Sequence, residues 1–235
     1  MIRRLTILLL IVGCEETLEP EACTGVNDID DNCYQTVQIG ELVWMKQNLK
    51  VTHYNNGDEI PTGFSEEEWN NLISGAYAFY EDALTNTDIY GILYNWYVVN
   101  DDRLICPEGS HAPTDTEFKE LELFFGMSEE EVNSLIWRGT NQGSIIAGNS
   151  ELWNDGDLKS DLDFGMSGFN ALPAGYRTPT PGDYYYKSHG ANFWTSSISE
   201  DNDNPYSRRL LSNKSGILRD NPPKAYGFSV RCLQD

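Results

Sequence analysis

The chain has 235 residues, enough for one domain and a short tail, and 40% of them are apolar, enough for a sizeable core. Its 37 acidic residues against 16 basic ones give a formal charge of −21. That argues against a nucleic-acid partner, because phosphate binding needs clustered Lys and Arg, disfavours anionic lipid surfaces, and suits hard cations such as Ca²⁺.

Residues 1–14 read as a targeting segment. Arg3 and Arg4 precede an apolar run from Leu5 to Gly13. A bilayer span needs about 20 residues, so the shorter run fits a secretory signal. It ends Ile11-Val12-Gly13-Cys14, which resembles a bacterial lipobox, in which the Cys accepts lipid. The expectation is a lipoprotein signal peptide over 1–13 and lipidation of Cys14. The protein would then sit in the bacterial cell envelope, anchored to the membrane, with the outer membrane as the expected address. Glu15, Glu16, Glu19 and Glu21 follow at once. They are similar to surface-export signals of some lipoproteins, and a plain solvated linker is the alternative. No later stretch is long and apolar enough to be a transmembrane helix.

Residues 14–33 read as an acidic tether. From Tyr34 the pattern changes. Thr36-Val37-Gln38-Ile39, a Gly40-Glu41 turn and Leu42-Val43-Trp44-Met45 predict a β-hairpin. Asn55-Asn56-Gly57-Asp58 predicts a turn. Ser65 and Glu68 form a capping box that opens a short helix, and Ala76–Tyr80 reads as extended. Tyr90, Leu93, Tyr94 and Tyr97 recur every three or four residues, predicting a buried helix or an aromatic-packed segment. Thr114 and Glu117 make a second capping box, ahead of a helix with Phe118, Leu121 and Phe125 on one face. A further helix over 128–138 would present Val132, Leu135 and Ile136. Short strands follow at 169–172, 193–197, 206–211, 215–219 and 228–232, with turns at 213–216 and 221–224. This order places the chain in the α+β class.

The five Cys are 14, 23, 33, 106 and 232. Lipid on Cys14 leaves an even four, consistent with an oxidising compartment and open to three pairings. Cys23 with Cys33 would close a short loop of polar turn residues. The Cys spacings and the scattered His53, His111 and His189 do not make a metal motif.

Six fragments carry a resemblance. They are Leu42–Met45 with Asn48-Leu49, Tyr90–Tyr97, Cys106–Thr114, Gly168–Arg177, Phe193–Ser197 and Tyr226–Cys232. In this order they resemble the Fibrobacter succinogenes major paralogous domain, over residues 34–235. The resemblance implies a C-type-lectin-like fold, with two main helices and several short antiparallel strands, related to the formylglycine-generating sulfatase-modifying domains. It implies a Cys106–Cys232 disulfide, which would join two of the fragments. It implies no ligand, because the family has no generally assigned activity. The formylglycine-generating relatives use two reactive Cys near the C-terminus, and here that region holds Cys232 alone, which speaks against an oxidase. Ser110 stands where the family's Cys-Pro-x-Gly motif continues with Trp.

Trp44, Trp96 and Trp194 sit among aliphatic neighbours and read as core. Trp153-Asn154-Asp155 matches the triplet of sugar-binding lectins, but it lies far from the final Cys and reads as coincidence. Asp155, Asp157, Asp161 and Asp163 share a Gly-containing loop that offers oxygens to a cation such as Ca²⁺, with a solvated loop as the alternative. Tyr184, Tyr185 and Tyr186 are flanked by loop signals and make a candidate ligand surface. The chain lacks G-x-S-x-G, P-loop, H-E-x-x-H and dinucleotide motifs. The expected function is therefore a non-enzymatic binding or adhesion module for an extracellular polymer such as carbohydrate, or for protein. A hydrolase with an unrecognised carboxylate pair and a structural envelope protein without a small ligand are the alternatives.

Overall fold

A computed structural model describes residues 23–235. The expected signal peptide, its lipidation site Cys14 and the first part of the expected acidic tether lie outside the described residues. Strands β1 (Val26–Asn27) and β2 (Cys33–Tyr34) pair across the Cys23–Cys33 disulfide. Residues 23–33 are folded, which corrects that part of the expected tether. Asp28 is buried; its Oδ1 accepts from the Asp30 and Asn32 backbone N–H groups at 3.0 and 2.9 Å, and its Oδ2 from the Tyr34 hydroxyl at 2.6 Å. The carboxylate organises the loop, so a hydrophilic composition concealed an ordered turn.

The predicted hairpin forms as β3 (Thr36–Ile39) and β4 (Leu42–Met45), in register with Val37 opposite Trp44. The Ser65 capping box opens α1 (Glu66–Asn70). β5 (Tyr77–Ala78) follows, and 3₁₀ turns at Tyr80–Asp82 and Leu84–Asn86 lead to α2 (Thr87–Tyr90). β6 (Leu93–Tyr94) pairs with β5 and is followed by the single turn of α3 (Trp96–Val99). The 90–99 segment is thus aromatic-packed rather than one helix, because Gly91 takes a φ of +75° and ends α2. β7 (Ser110–His111) precedes α4 (Asp115–Phe124), which starts at the Thr114 capping box and buries Phe118 and Leu121.

Ser128 caps α5 (Glu129–Asn133), but the helix stops there. Residues 136–138 are instead β8 (Ile136–Arg138), paired with a C-terminal strand, and Ile136 is exposed. α6 (Gln142–Ile146) and α7 (Asp157–Ser160) bracket the Asn- and Gly-rich region. Then come β9 (Ala174–Arg177), β10 (Tyr184–Lys187), β11 (Gly190–Ile198), β12 (Pro205–Leu211), β13 (Lys214–Asp220) and β14 (Leu233–Gln234). The strands expected at 169–172 and 228–232 are isolated bridges, Ala147–Ala171, Tyr94–Phe228 and Phe193–Ser229.

Two four-stranded sheets result, ordered β11-β12-β13-β8 and β3-β4-β14-β7. The class is α+β, with short helices and antiparallel sheets. Trp44, Trp96 and Trp194 are all buried. Trp194 packs with Tyr94 and Phe228 in one core cluster, and Trp44 with Phe118, Phe169 and Phe193 in the other. No helix among the described residues is long and apolar enough to cross a membrane.

Four of the six sequence fragments meet at Arg231, which is fully buried, and the other two join it indirectly, through Asn48 and through Cys232. Its guanidinium donates to Asn48 Oδ1 at 2.6 Å, to the Met45 and Asn170 carbonyls at 3.1 and 3.2 Å, and to the Phe169 carbonyl. It lies over the Phe169 and Phe193 rings. Asn48 in turn donates to the Tyr90 carbonyl and the Ser229 hydroxyl. The neighbouring Cys232 is bonded to Cys106, as expected. Burial pushes Arg231 down to about 9. The fragments therefore encode a structural clasp, with carbonyl and amide oxygens around a cation that has no carboxylate partner among the described residues.

Candidate functional site

Tyr184, Tyr185 and Tyr186 do not sit on an open loop. They form β10, paired with β9 as Tyr184 opposite Arg177 and Tyr185 opposite Tyr176. Tyr184 is half-buried. Its hydroxyl donates to Asp82 Oδ1 at 2.6 Å, and its ring packs on Tyr80 and under the Arg177 guanidinium. Burial, and then the Asp82 carboxylate that accepts its proton, push this phenol above its ordinary value. Tyr184 is a packing residue, which corrects its place in the candidate surface.

Tyr185 and Tyr186 are 39% and 41% exposed. In a regular strand they would point to opposite faces. Here Tyr186 has a φ of +67° and Gly175 on the partner strand one of +70°. A Cβ on Gly175 would lie 2.4 Å from the Tyr185 carbonyl oxygen, so glycine is required there. The broken alternation brings both Tyr185 and Tyr186 against Tyr176, with ring centroids 6.0 and 5.5 Å away. A bulky residue at positive φ is costly and persists where its surroundings hold it.

The rings form a row. Tyr186 stacks between Tyr176 and His189, the latter 5.0 Å away. Tyr176 also meets Tyr226 at 5.9 Å and Phe228 at 6.0 Å, and Phe228 is rooted on Trp194 at 4.4 Å. One end of the row is therefore in the core and the other in solvent. Arg209 lies over Tyr176, 5.1 Å from its centroid, and its Nε–H donates to buried Asn192. His189 Nδ1 is 2.6 Å from the Ser212 hydroxyl. Burial raises the Tyr176 phenol, keeping it neutral across the physiological range. The row presents phenol and imidazole ring faces beside one guanidinium. Such faces bind flat apolar patches, including the C–H faces of sugar rings, while the guanidinium donates hydrogen bonds.

The four Asp of the proposed cation loop do not converge. Asp155 pairs with Lys159 at 2.7 Å across α7, and Asp157 begins that helix. Asp163 and, more weakly, Asp161 accept from the Asn141 amide at 2.9 and 3.5 Å. Among the described residues no three His, Cys, Asp or Glu side chains form a metal-holding group. Local Lys and Asn partners thus occupy Asp155, Asp161 and Asp163, and the four carboxylates do not gather, which corrects the Ca²⁺ expectation for Asp155, Asp157, Asp161 and Asp163. Trp153 is buried and donates to the Gly148 carbonyl. The three His stay apart: His53 pairs with Asp30 at 2.6 Å, and His111 lies between Glu117 and Asp235 at 2.8 and 2.6 Å.

Sequence reasoning missed Tyr176, His189, Arg209 and Tyr226. Tyr176 and Tyr226 lie inside fragments that carry the resemblance, which was the available signal.

The family whose sequence model matches the chain is the Fibrobacter succinogenes major domain, over residues 37–234. The chain belongs to this family. Comparison with curated proteins and with solved structures found no match. Within this Fibrobacter succinogenes major domain, the fragments supply the rooted end of the row, Tyr176, Tyr226 and Phe228. The exposed end, Tyr185, Tyr186 and His189, lies between fragments.

Proposed function

We propose that the protein is a lipid-anchored envelope protein whose domain is a non-catalytic binding module for an extracellular polymer such as carbohydrate. The observation that carries this reading is the ring row Tyr226–Tyr176–Tyr186–His189, half in the core and half in solvent, with Arg209 beside it. A rigid root lowers the entropy lost when a ligand stacks on the exposed rings. The antiparallel sheets, short helices and a disulfide from mid-chain to the last strand support a C-type-lectin-like fold.

Tyr184 is excluded from the test because it holds the fold. Tyr185→Ala with Tyr186→Ala is expected to weaken retention on an insoluble polysaccharide such as cellulose, xylan or chitin. At on the order of 1 kcal/mol per stacked ring, the loss is roughly thirtyfold. Depletion assays measure it, with the thermal midpoint as control. Unchanged retention would place the ligand elsewhere. Release of reducing sugar would favour a hydrolase, and no retention on any polymer would favour a structural role.

The anchor rests on the Ile11-Val12-Gly13-Cys14 segment. Mass spectrometry of detergent-extracted protein is expected to find Cys14 as an acylated N-terminus. An unmodified soluble chain would refute it.

A further inference from the structure

A second site lies away from the ring row. Residues that follow the β4 fragment face the Asn149 and Gly168–Asn170 segments across a cleft of about 650 Å³, within the range of small-ligand sites. None of the ring-row residues lines it.

The cleft's chemistry is specific. Gln35, Asn149, Ser150 and Asn170 line it, and all four enter hydrogen bonds within the described residues through backbone atoms only. Among the described residues their side-chain amides and hydroxyl have no hydrogen-bond partner. Asn149 and Asn170 both hold left-handed backbone, with φ of +54° and +59°. Asn170 is fixed from beneath, because its carbonyl accepts from buried Arg231. Its side chain lies over Gly148, where an added Cβ would be 2.1 Å from Oδ1. The wall is thus positioned by the clasp before any ligand arrives.

We infer that this cleft binds a neutral, hydroxyl-rich ligand, a short saccharide or the end of a glycan chain. Amide side chains both donate and accept, as sugar hydroxyls do. Among the described residues the lining holds one cation, Lys46, and one carboxylate, Glu151. A phosphate or carboxylate ligand would need an excess of cations. Phe164 supplies one aromatic ring to the lining, enough for one sugar face and too little for an apolar ligand. The inference stands independently of the ring row, although both sites would take carbohydrate.

The test is heteronuclear NMR of the purified protein, titrated with cellotetraose, xylotetraose and mannotetraose, and with trigalacturonate as the charged comparator. At millimolar concentration at least one neutral tetrasaccharide is expected to shift the Gly148, Gly165 and Gly168 amides and the Asn149 and Asn170 side-chain amides. Asn149→Gly with Gln35→Ala removes two amides and keeps the left-handed backbone at position 149. It should weaken that binding about tenfold, the loss of two ordinary hydrogen bonds, with the remaining spectrum unchanged. Cleft shifts that survive in the variant overturn the inference. So does tighter binding of trigalacturonate at the cleft, or no cleft shift with any neutral probe. Shifts confined to Tyr185 and Tyr186 overturn the cleft and keep the ring row. Shifts confined to the cleft support it and count against the row.

Discussion

Glu122→Gln is expected to destabilise the domain by about 3–5 kcal/mol, the usual cost of removing one partner from a buried ion pair. Glu122 is fully buried on α4 and accepts from Arg208 Nε at 2.7 Å and Arg138 Nη2 at 2.5 Å. Arg208 also reaches Asp115 at 2.8 Å, and Arg219 reaches the same carboxylate at 2.7 and 2.9 Å. Burial already pushes Arg138 down to about 10, against the pull of the Glu122 charge. Neutralising Glu122 leaves two guanidinia inside the protein with less to offset their lost hydration. Urea denaturation with an unchanged m-value would measure the effect. A loss below about 1 kcal/mol would show that the guanidinia find other partners, and that Glu122 is not the keystone of the cluster.

The same cluster sets the acid limit of the fold. Burial by itself would raise the Asp115 carboxyl. Hydrogen bonds from Arg219 and the charge of Arg208 override it and hold the group well below the usual carboxylate range. The unfolded chain binds the proton first, at an ordinary value of about 3.9. The Asp115 contribution is therefore complete above that value and is lost as pH falls toward the folded one. The thermal midpoint should drop on acidification below about pH 4, and Asp115→Asn should flatten that part of the profile.

Cys232→Ala is expected to cost about 2–5 kcal/mol, the usual effect of losing a native disulfide. The bond joins Cys106 to Cys232 across 126 residues, and chain entropy alone assigns a loop near that length about 4.7 kcal/mol. Both sulfurs are buried, and the segment beside Cys232 carries Arg231, so the loss should spread into the clasp. Non-reducing peptide mapping should recover the Cys106–Cys232 pair. Free alkylation of both thiols in the native protein would refute the pairing, and a variant as stable as the parent would show that the clasp alone holds the last strand.

Local signals in the sequence determined the elements that close on themselves. The β3–β4 hairpin and the starts of α1 and α4 were legible because each depends on residues no more than a few positions apart. The Cys23–Cys33 link is equally local, and the family fragments implied the distant one. Long-range pairing decided the rest. Helical periodicity continued past Asn133, but β13 captured residues 136–138 as an edge strand, and the Arg138 side chain entered the Glu122 cluster. The tyrosine run read as a loop because its flanks are Pro-, Gly- and Ser-rich. Its arrangement as a row of rings came from Gly175, on another strand, which allowed the left-handed turn at Tyr186 and stacked the rings on Tyr176. The Asp cluster failed as a metal site for the converse reason: its carboxylates do not converge, and Lys159 and Asn141, one four residues from Asp155 and the other a strand-free stretch away, had already partnered Asp155, Asp161 and Asp163. A sequence shows which groups are available, and only the packed chain shows which of them remain unpartnered.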